Sequence, residues 1–162
     1  MVSYIVNLFF VNNKKIFYNY MIDIIKQDFI DFYNSHKNIY NLSFHIFCGF
    51  MYMSLLFSLS KKYKNSLLIM YVLLMFFLFQ NLFLIFIIFI ILFTLLIVIN
   101  KYKLSFTNSF LLFLSFYFLP ELSHILTNEP TVLNLNNITP LSIFTNVFCL
   151  LPFSLMSLFN SK

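Results

Sequence analysis

The chain has 162 residues, 61% of them hydrophobic and only 9% charged, and a net charge of +5. An ordinary soluble domain carries about 25% charged residues, so this composition excludes a soluble globular protein and makes the bilayer the solvent for much of the surface. The basic residues are all Lys and are scattered along the chain, which excludes a nucleic-acid interface.

Phe, Ile, Asn, Lys and Tyr share AT-rich codons, so their abundance is compositional and the scarce types carry the signal. These are 3 His, 1 Gly, 4 Pro, 2 Cys and 5 acids. Cys48 and Cys149 sit in apolar runs and are expected as buried free thiols, not as a disulfide framework.

In residues 1–35, Ile16, Phe17, Tyr20, Ile24, Ile25, Phe29, Ile30, Phe32 and Tyr33 recur at helical spacing, with Lys and Asp between them. That pattern predicts an amphipathic N-terminal segment lying in the membrane interface. Residues 36–162 read as a single transmembrane helical domain. Leu42–Ser60 is long enough to span, and Lys61, Lys62 and Lys64 end it. Asn65–Ile99 is uncharged; as one helix it would be roughly 50 Å long, so two helices broken near Gln80–Asn81 are expected. Leu104–Leu119 spans next, with Pro120 as its stop. Leu141–Phe159 is the last span, kinked by Pro152. The expected fold is an all-α polytopic bundle of four to five transmembrane helices. Alternating sides along these spans places His36, His45, His124 and every acid at one membrane surface. The Lys count favours the opposite surface as cytosolic.

Two constellations carry possible chemistry. His36 and His45 are nine apart, which on one continuous helix puts them on opposite faces. They share a site only if the backbone breaks between them. The polar stretch Ser35–Asn41 offers that break, with Asn38 or Asn41 as a cap for the following span. Glu121 and His124 are three apart and share a helix face, as in di-iron carboxylate bundles. Glu129 joins them if the helix ends between His124 and Pro130. Neutral imidazole is a common ligand for iron, zinc and copper. Interfacial His residues and a capped turn are the plainer accounts of the same residues. Gly49 permits close helix approach, and Tyr33 can anchor at the interface or face a bound oxygen species.

The stretch Phe32-Tyr33-Asn-Ser-His36-Lys-Asn38-Ile-Tyr-Asn41-Leu-Ser-Phe-His45 resembles the signature of the 2-hydroxy fatty acid dioxygenase family. That signature has an aromatic pair, a His, Asn residues two and five later, and a second His nine later. A second family signature, a His followed by Glu and Pro, has its counterpart in Ser123-His124 and Glu129-Pro130-Thr131. Here Glu129 stands five after His124 instead of four, and Ser123 replaces a Gly.

The resemblance implies an endoplasmic-reticulum membrane enzyme of fatty acid α-oxidation and sphingoid-base degradation. Such an enzyme uses Fe(2+) and O2 to shorten a 2-hydroxy fatty acid by one carbon. It implies His36, His45 and His124 as metal ligands, and Glu121 or Glu129 as the carboxylate completing the shell. The other Glu, with Asn38 and Asn41, orients those ligands from outside the shell, Tyr33 is a further supporting residue, and Lys37 becomes a partner for the substrate carboxylate. The competing expectation is a non-catalytic membrane protein that keeps this architecture without a functional metal site. A transporter would need ionisable groups deep within spans, and the sequence has none between Lys64 and Lys101.

Overall fold

A computed structural model describes residues 22–131 and 140–160 of the chain. Most of the expected interfacial segment, residues 1–21, and the asparagines Asn134, Asn136 and Asn137 lie outside the described residues. What is described is helical with no strand. Helix α1 covers residues 22–35, α2 Ile39–Leu59, α3 Lys64–Phe79, α4 Leu82–Lys101 and α5 Phe106–Thr127. A last segment runs through α6 (Pro140–Phe144), a π-helical turn (Thr145–Cys149) and α7 (Leu150–Asn160).

Three helices, α2, α4 and α5, are long and apolar enough to cross a bilayer, and two shorter apolar helices cover Lys64–Phe79 and Thr145–Phe159. The outward faces of α3 and α4 present Phe77, Phe83 and Phe86, each more than half exposed, as suits helices solvated by lipid. Helix α1 is amphipathic. Ile25 and Phe32 are buried, while Asp23, Lys26 and Asp31 face outward. Its aromatic face lies against Phe153 of α7, with ring centroids 5.5 Å from Phe29 and 6.1 Å from Phe32.

Helix α2 is the central element, packed against α3, α4, α5 and α7. Its Tyr52, Met53 and Leu55 are almost wholly buried. Gly49 is where α7 comes closest: a Cβ there would stand 3.2 Å from Leu151 Cδ1. Cys48 and Cys149 are buried and free, as the sequence suggests.

The long apolar stretch is broken where expected. Gln80 takes a left-handed conformation (φ 51°) and closes α3, and the Asn81 side chain accepts from Leu84 N at 3.0 Å to open α4. Helix α5 departs from the sequence expectation. Pro120 does not stop it; the helix continues to Thr127. A proline removes one N–H and so withdraws the helical donor of Phe116 O alone, while the turn that follows is reinforced by Ser123 Oγ, which donates to Pro120 O at 2.6 Å. The turn beyond Pro120 is also tied to α2 through buried Ser123 and His124. The actual stop is Asn128, left-handed at φ 55°, just before Glu129 and Pro130.

Pro152 is accommodated by the π-helical turn that precedes it. Its missing N–H leaves Phe148 O without its α-helical donor. Tyr71 Oη takes that place, donating to Phe148 O at 3.0 Å, and Tyr52 Oη donates to the neighbouring Val147 O at 2.8 Å.

Candidate metal centre

Helices α2 and α5 run in opposite directions, so the start of α2 and the end of α5 meet at the same end of the bundle. Residues 36–38 break the helix between α1 and α2, and Asn38 caps α2 by accepting from Tyr40 N at 2.9 Å. This break turns His36 back over the first turns of α2, where His45 points inward. His124, near the end of α5, closes the group.

The three rings are buried, with 3%, 2% and 4% of His36, His45 and His124 exposed. Their Nε2 atoms converge: His45 Nε2 lies 3.1 Å from His36 Nε2 and 3.1 Å from His124 Nε2. Nitrogens held about 2.0–2.1 Å from one metal ion lie roughly 3 Å apart, so the spacing suits a shared ion. Among the described residues these three form the one cluster whose ligand atoms are all close enough to hold a metal.

Proton placement supports the same use. His36 Nδ1 lies 2.7 Å from Phe32 O, which only accepts. The ring proton is therefore on Nδ1, and Nε2 carries a lone pair. Burial lowers the His36 pKa to about 4 against the opposing pull of that carbonyl, so the ring is neutral at pH 7. His45 Nε2 holds at most one hydrogen, which cannot point at both neighbours. His45 Nδ1 is itself buried without a hydrogen-bond partner. Lone pairs of His36 and His45 directed at one cation remove that conflict; His124 joins them in the tautomer with its hydrogen on Nδ1, which the Asn41 amide hydrogens 3.2 Å from Nδ1 oppose. The donor set therefore fits a metal ion, and the cluster can hold one.

The surroundings fix the rings. Phe32 stacks on His36 at 3.8 Å between centroids, and Ser35 Oγ stands 3.2 Å from His36 Nδ1. Asn41, fully buried, places Nδ2 3.2 Å from His124 Nδ1 and donates to Glu129 Oε2 at 2.7 Å. Its Oδ1 faces Ser123 Oγ, whose one hydrogen is shared between Asn41 Oδ1 and Pro120 O. Glu129 reaches across from beyond α5 and accepts at Oε1 from Lys37 N and Asn38 N, both at 2.7 Å. Desolvation works against its charge, but the bonds from Asn41, Asn38 and Lys37 outweigh it and hold the carboxyl below its ordinary pKa.

Glu121 shares an open cleft with Glu129, His124 and Thr131. It lines a cavity of about 20 Å³, room for one water-sized group, together with His36, His45, Tyr117, Pro120, His124, Asn146 and Leu150. Its Oε2 accepts from Thr131 Oγ1 at 2.6 Å.

The structure thus gathers the three expected His residues with Asn38, Asn41, Glu121 and Glu129. Neither carboxylate belongs to the cluster of three, because Glu129 is taken up by N–H groups and Glu121 faces the cavity from its wall. Tyr33 is not part of the group. It is 37% exposed, and its ring lies 6.3 Å from Phe29. For Lys37, the contact is made by its backbone. Sequence reasoning missed the roles of Ser123, Tyr117 and Asn146. The spacing of Ser123 from Pro120 was visible, but nothing in the sequence tied Asn146 to residues a hundred positions away.

Fold and site together define an all-α membrane protein with a buried three-histidine centre at one end of its bundle. Comparison with family models, curated proteins and solved structures finds no match.

Proposed function

We propose that the protein is an endoplasmic-reticulum membrane dioxygenase that uses Fe(2+) and O2 to shorten 2-hydroxy fatty acids by one carbon. One observation carries the reading: the His residues of two separate signatures, whose order resembles the 2-hydroxy fatty acid dioxygenase family, converge through Nε2 beside a small cavity. The reaction balances without an outside reductant: RCH(OH)COOH and O2 give RCOOH, CO2 and H2O.

His36, His45 and His124 would hold the iron. When bound, ferrous iron supplies the redox chemistry that lets O2 react with a closed-shell acid, at positions the protein leaves open. The remaining work falls to the chain. Asn41 and Glu129 keep His124 and the His36 linker in place. Glu121, whose Oε1 is not engaged by Thr131, takes the proton of the substrate hydroxyl. The buried rings and the small cavity exclude bulk water from the reacting carbon. The acyl chain lies along the lipid-facing side of the bundle while its polar end reaches the histidines at the membrane surface.

The test is turnover by the full chain in detergent, loaded with Fe(2+) and given a long-chain 2-hydroxy fatty acid under O2. Mass spectrometry should find an acid one carbon shorter, absent with His36→Ala. Activity retained in either His36→Ala or His124→Ala would sink the three-histidine assignment. A protein that binds stoichiometric metal yet forms no product over a range of chain lengths would sink the dioxygenase reading.

A further inference from the structure

The π-helical turn is costly to build and is placed beside the histidines. Such single turns rarely occur without a local reason and are frequent at functional sites. Here Pro152 frees the carbonyl of Phe148, and the hydroxyls of Tyr71 and Tyr52, from two different helices, meet it and the neighbouring carbonyl of Val147. Both tyrosines are at most 3% exposed, so the turn is clamped from the core side. The residue that the clamped turn brings to the histidine cavity is Asn146. Its carboxamide has no hydrogen-bond partner among the described residues, whereas Asn38, Asn41 and Asn81 are all engaged. Helix α5, which forms the opposite wall through Tyr117, Pro120 and Glu121, packs mainly against α2 and only slightly against the last segment. The cavity therefore lies along a seam between α5 and the π-helical turn.

We propose that Asn146 is the specificity-determining residue for the α-oxygen of the substrate, its carboxamide hydrogen-bonding the 2-hydroxyl. A carboxamide both donates and accepts, as a hydroxyl does. Glu121 on the facing wall then receives the hydroxyl proton that Asn146 has oriented. This rests on the dioxygenase reading for its substrate class and names the contact that selects a 2-hydroxy acid over an unsubstituted one.

The experiment measures binding separately from turnover. Full-length protein in detergent, loaded with Co(2+) in place of iron, is titrated with a 2-hydroxy fatty acid and with the unsubstituted acid of the same length. The visible spectrum of the metal reports both. Wild type is expected to prefer the hydroxy acid. Asn146→Leu, similar in size but unable to hydrogen-bond, should lose about tenfold or more in affinity for it. Its affinity for the unsubstituted acid and its metal content should stay unchanged. A purely structural role would weaken both acids together. Equal weakening, or selectivity retained in Asn146→Leu, overturns the assignment. Asn146→Gln tests the same point without removing the carboxamide, and should recover part of the selectivity. If wild type selects the hydroxy acid but the iron-loaded protein forms no shortened product, the contact stands and the reaction fails. Wild type that binds neither acid overturns both.

Discussion

At the scale of single residues, the centre depends on which nitrogen of each ring is left free. The Phe32 carbonyl takes the Nδ1 hydrogen of His36, while Asn41 packs beside His124 and holds that ring in place, so removing Asn41 acts on the metal through a ring that stays in the sequence. Asn41→Ala is expected to weaken metal affinity by about 10–100-fold, read by competition with a metal-sensitive chelator, while the three ring substitutions abolish stoichiometric binding. Glu129 acts differently, as a strap from α5 to the linker. Its replacement by Gln puts an N–H donor among N–H donors, and a loss of about 1–3 kcal/mol is expected in thermal unfolding. The sign with pH follows from its depressed pKa. A carboxyl lowered in the folded state stabilises it above the unfolded pKa, and that contribution disappears as pH falls through the folded one. The gap in Tm between wild type and Glu129→Gln should therefore shrink as pH drops from about 5 toward 3. The three His residues that come together were legible in the sequence, because His is rare here and the spacing from His36 to His45 demands a break that Asn38 could cap. That one of the two Glu residues orients its neighbours was also expected, but not that Glu129 is the one, since two of its partners are backbone N–H groups at Lys37 and Asn38 that carry no mark in a sequence.

At the scale of helices, the sequence leads one to expect Pro120 to stop its helix and Pro152 to kink its own, and the first expectation fails. Pro120 lies within α5 and leaves it helical to Thr127; Pro152 lies just past a π-helical turn. A sequence shows that a proline removes a hydrogen bond but not whether a hydroxyl elsewhere in the fold replaces it. Tyr71 does so from α3, with Tyr52 of α2 on the neighbouring carbonyl, at sequence separations no local pattern reveals. The break at Gln80–Asn81 was legible because length alone required one. The tyrosine clamp gives a double-mutant prediction. Tyr71→Phe should destabilise the wild type by about 1 kcal/mol or more. In a Pro152→Ala background it should cost less, because the restored N–H of residue 152 can reach Phe148 O. Thermal unfolding of the four proteins in one detergent measures the coupling, and strict additivity would show that the proline and the hydroxyl do not share that carbonyl.

At the scale of the whole molecule, the bundle is uneven in length. Helices α2, α4 and α5 have 21, 20 and 22 residues, but α3 has 16. At 1.5 Å per residue, α3 covers about 24 Å, short of a typical hydrocarbon core of about 30 Å. Thinning the bilayer or drawing in flanking residues costs fractions of a kcal/mol per Å of mismatch. The protein should therefore be more heat-stable in bilayers of shorter-chain lipids than in those of long-chain lipids, and equal stability across the series would show that α3 is shielded from the lipid by its neighbours. The membrane character and the helix count were the most legible features, since they follow from composition and the placement of Lys. The face each helix turns inward was not legible, because helices this apolar carry almost no amphipathic signal.

The strap made by Glu129 has a consequence for how the protein is made. His36 and His45 leave the ribosome within nine residues of each other, but His124 and Glu129 follow only after α3, α4 and α5 have been synthesised. Until then the linker that sets His36 lacks its anchor, and the pair of rings has no third member. The centre closes only on a chain whose later helices have been inserted with α5 in the correct direction. Tight metal retention is therefore also a readout of correct topology: an inverted α5 would carry His124 to the far side of the bilayer and leave the first two rings unable to keep an ion.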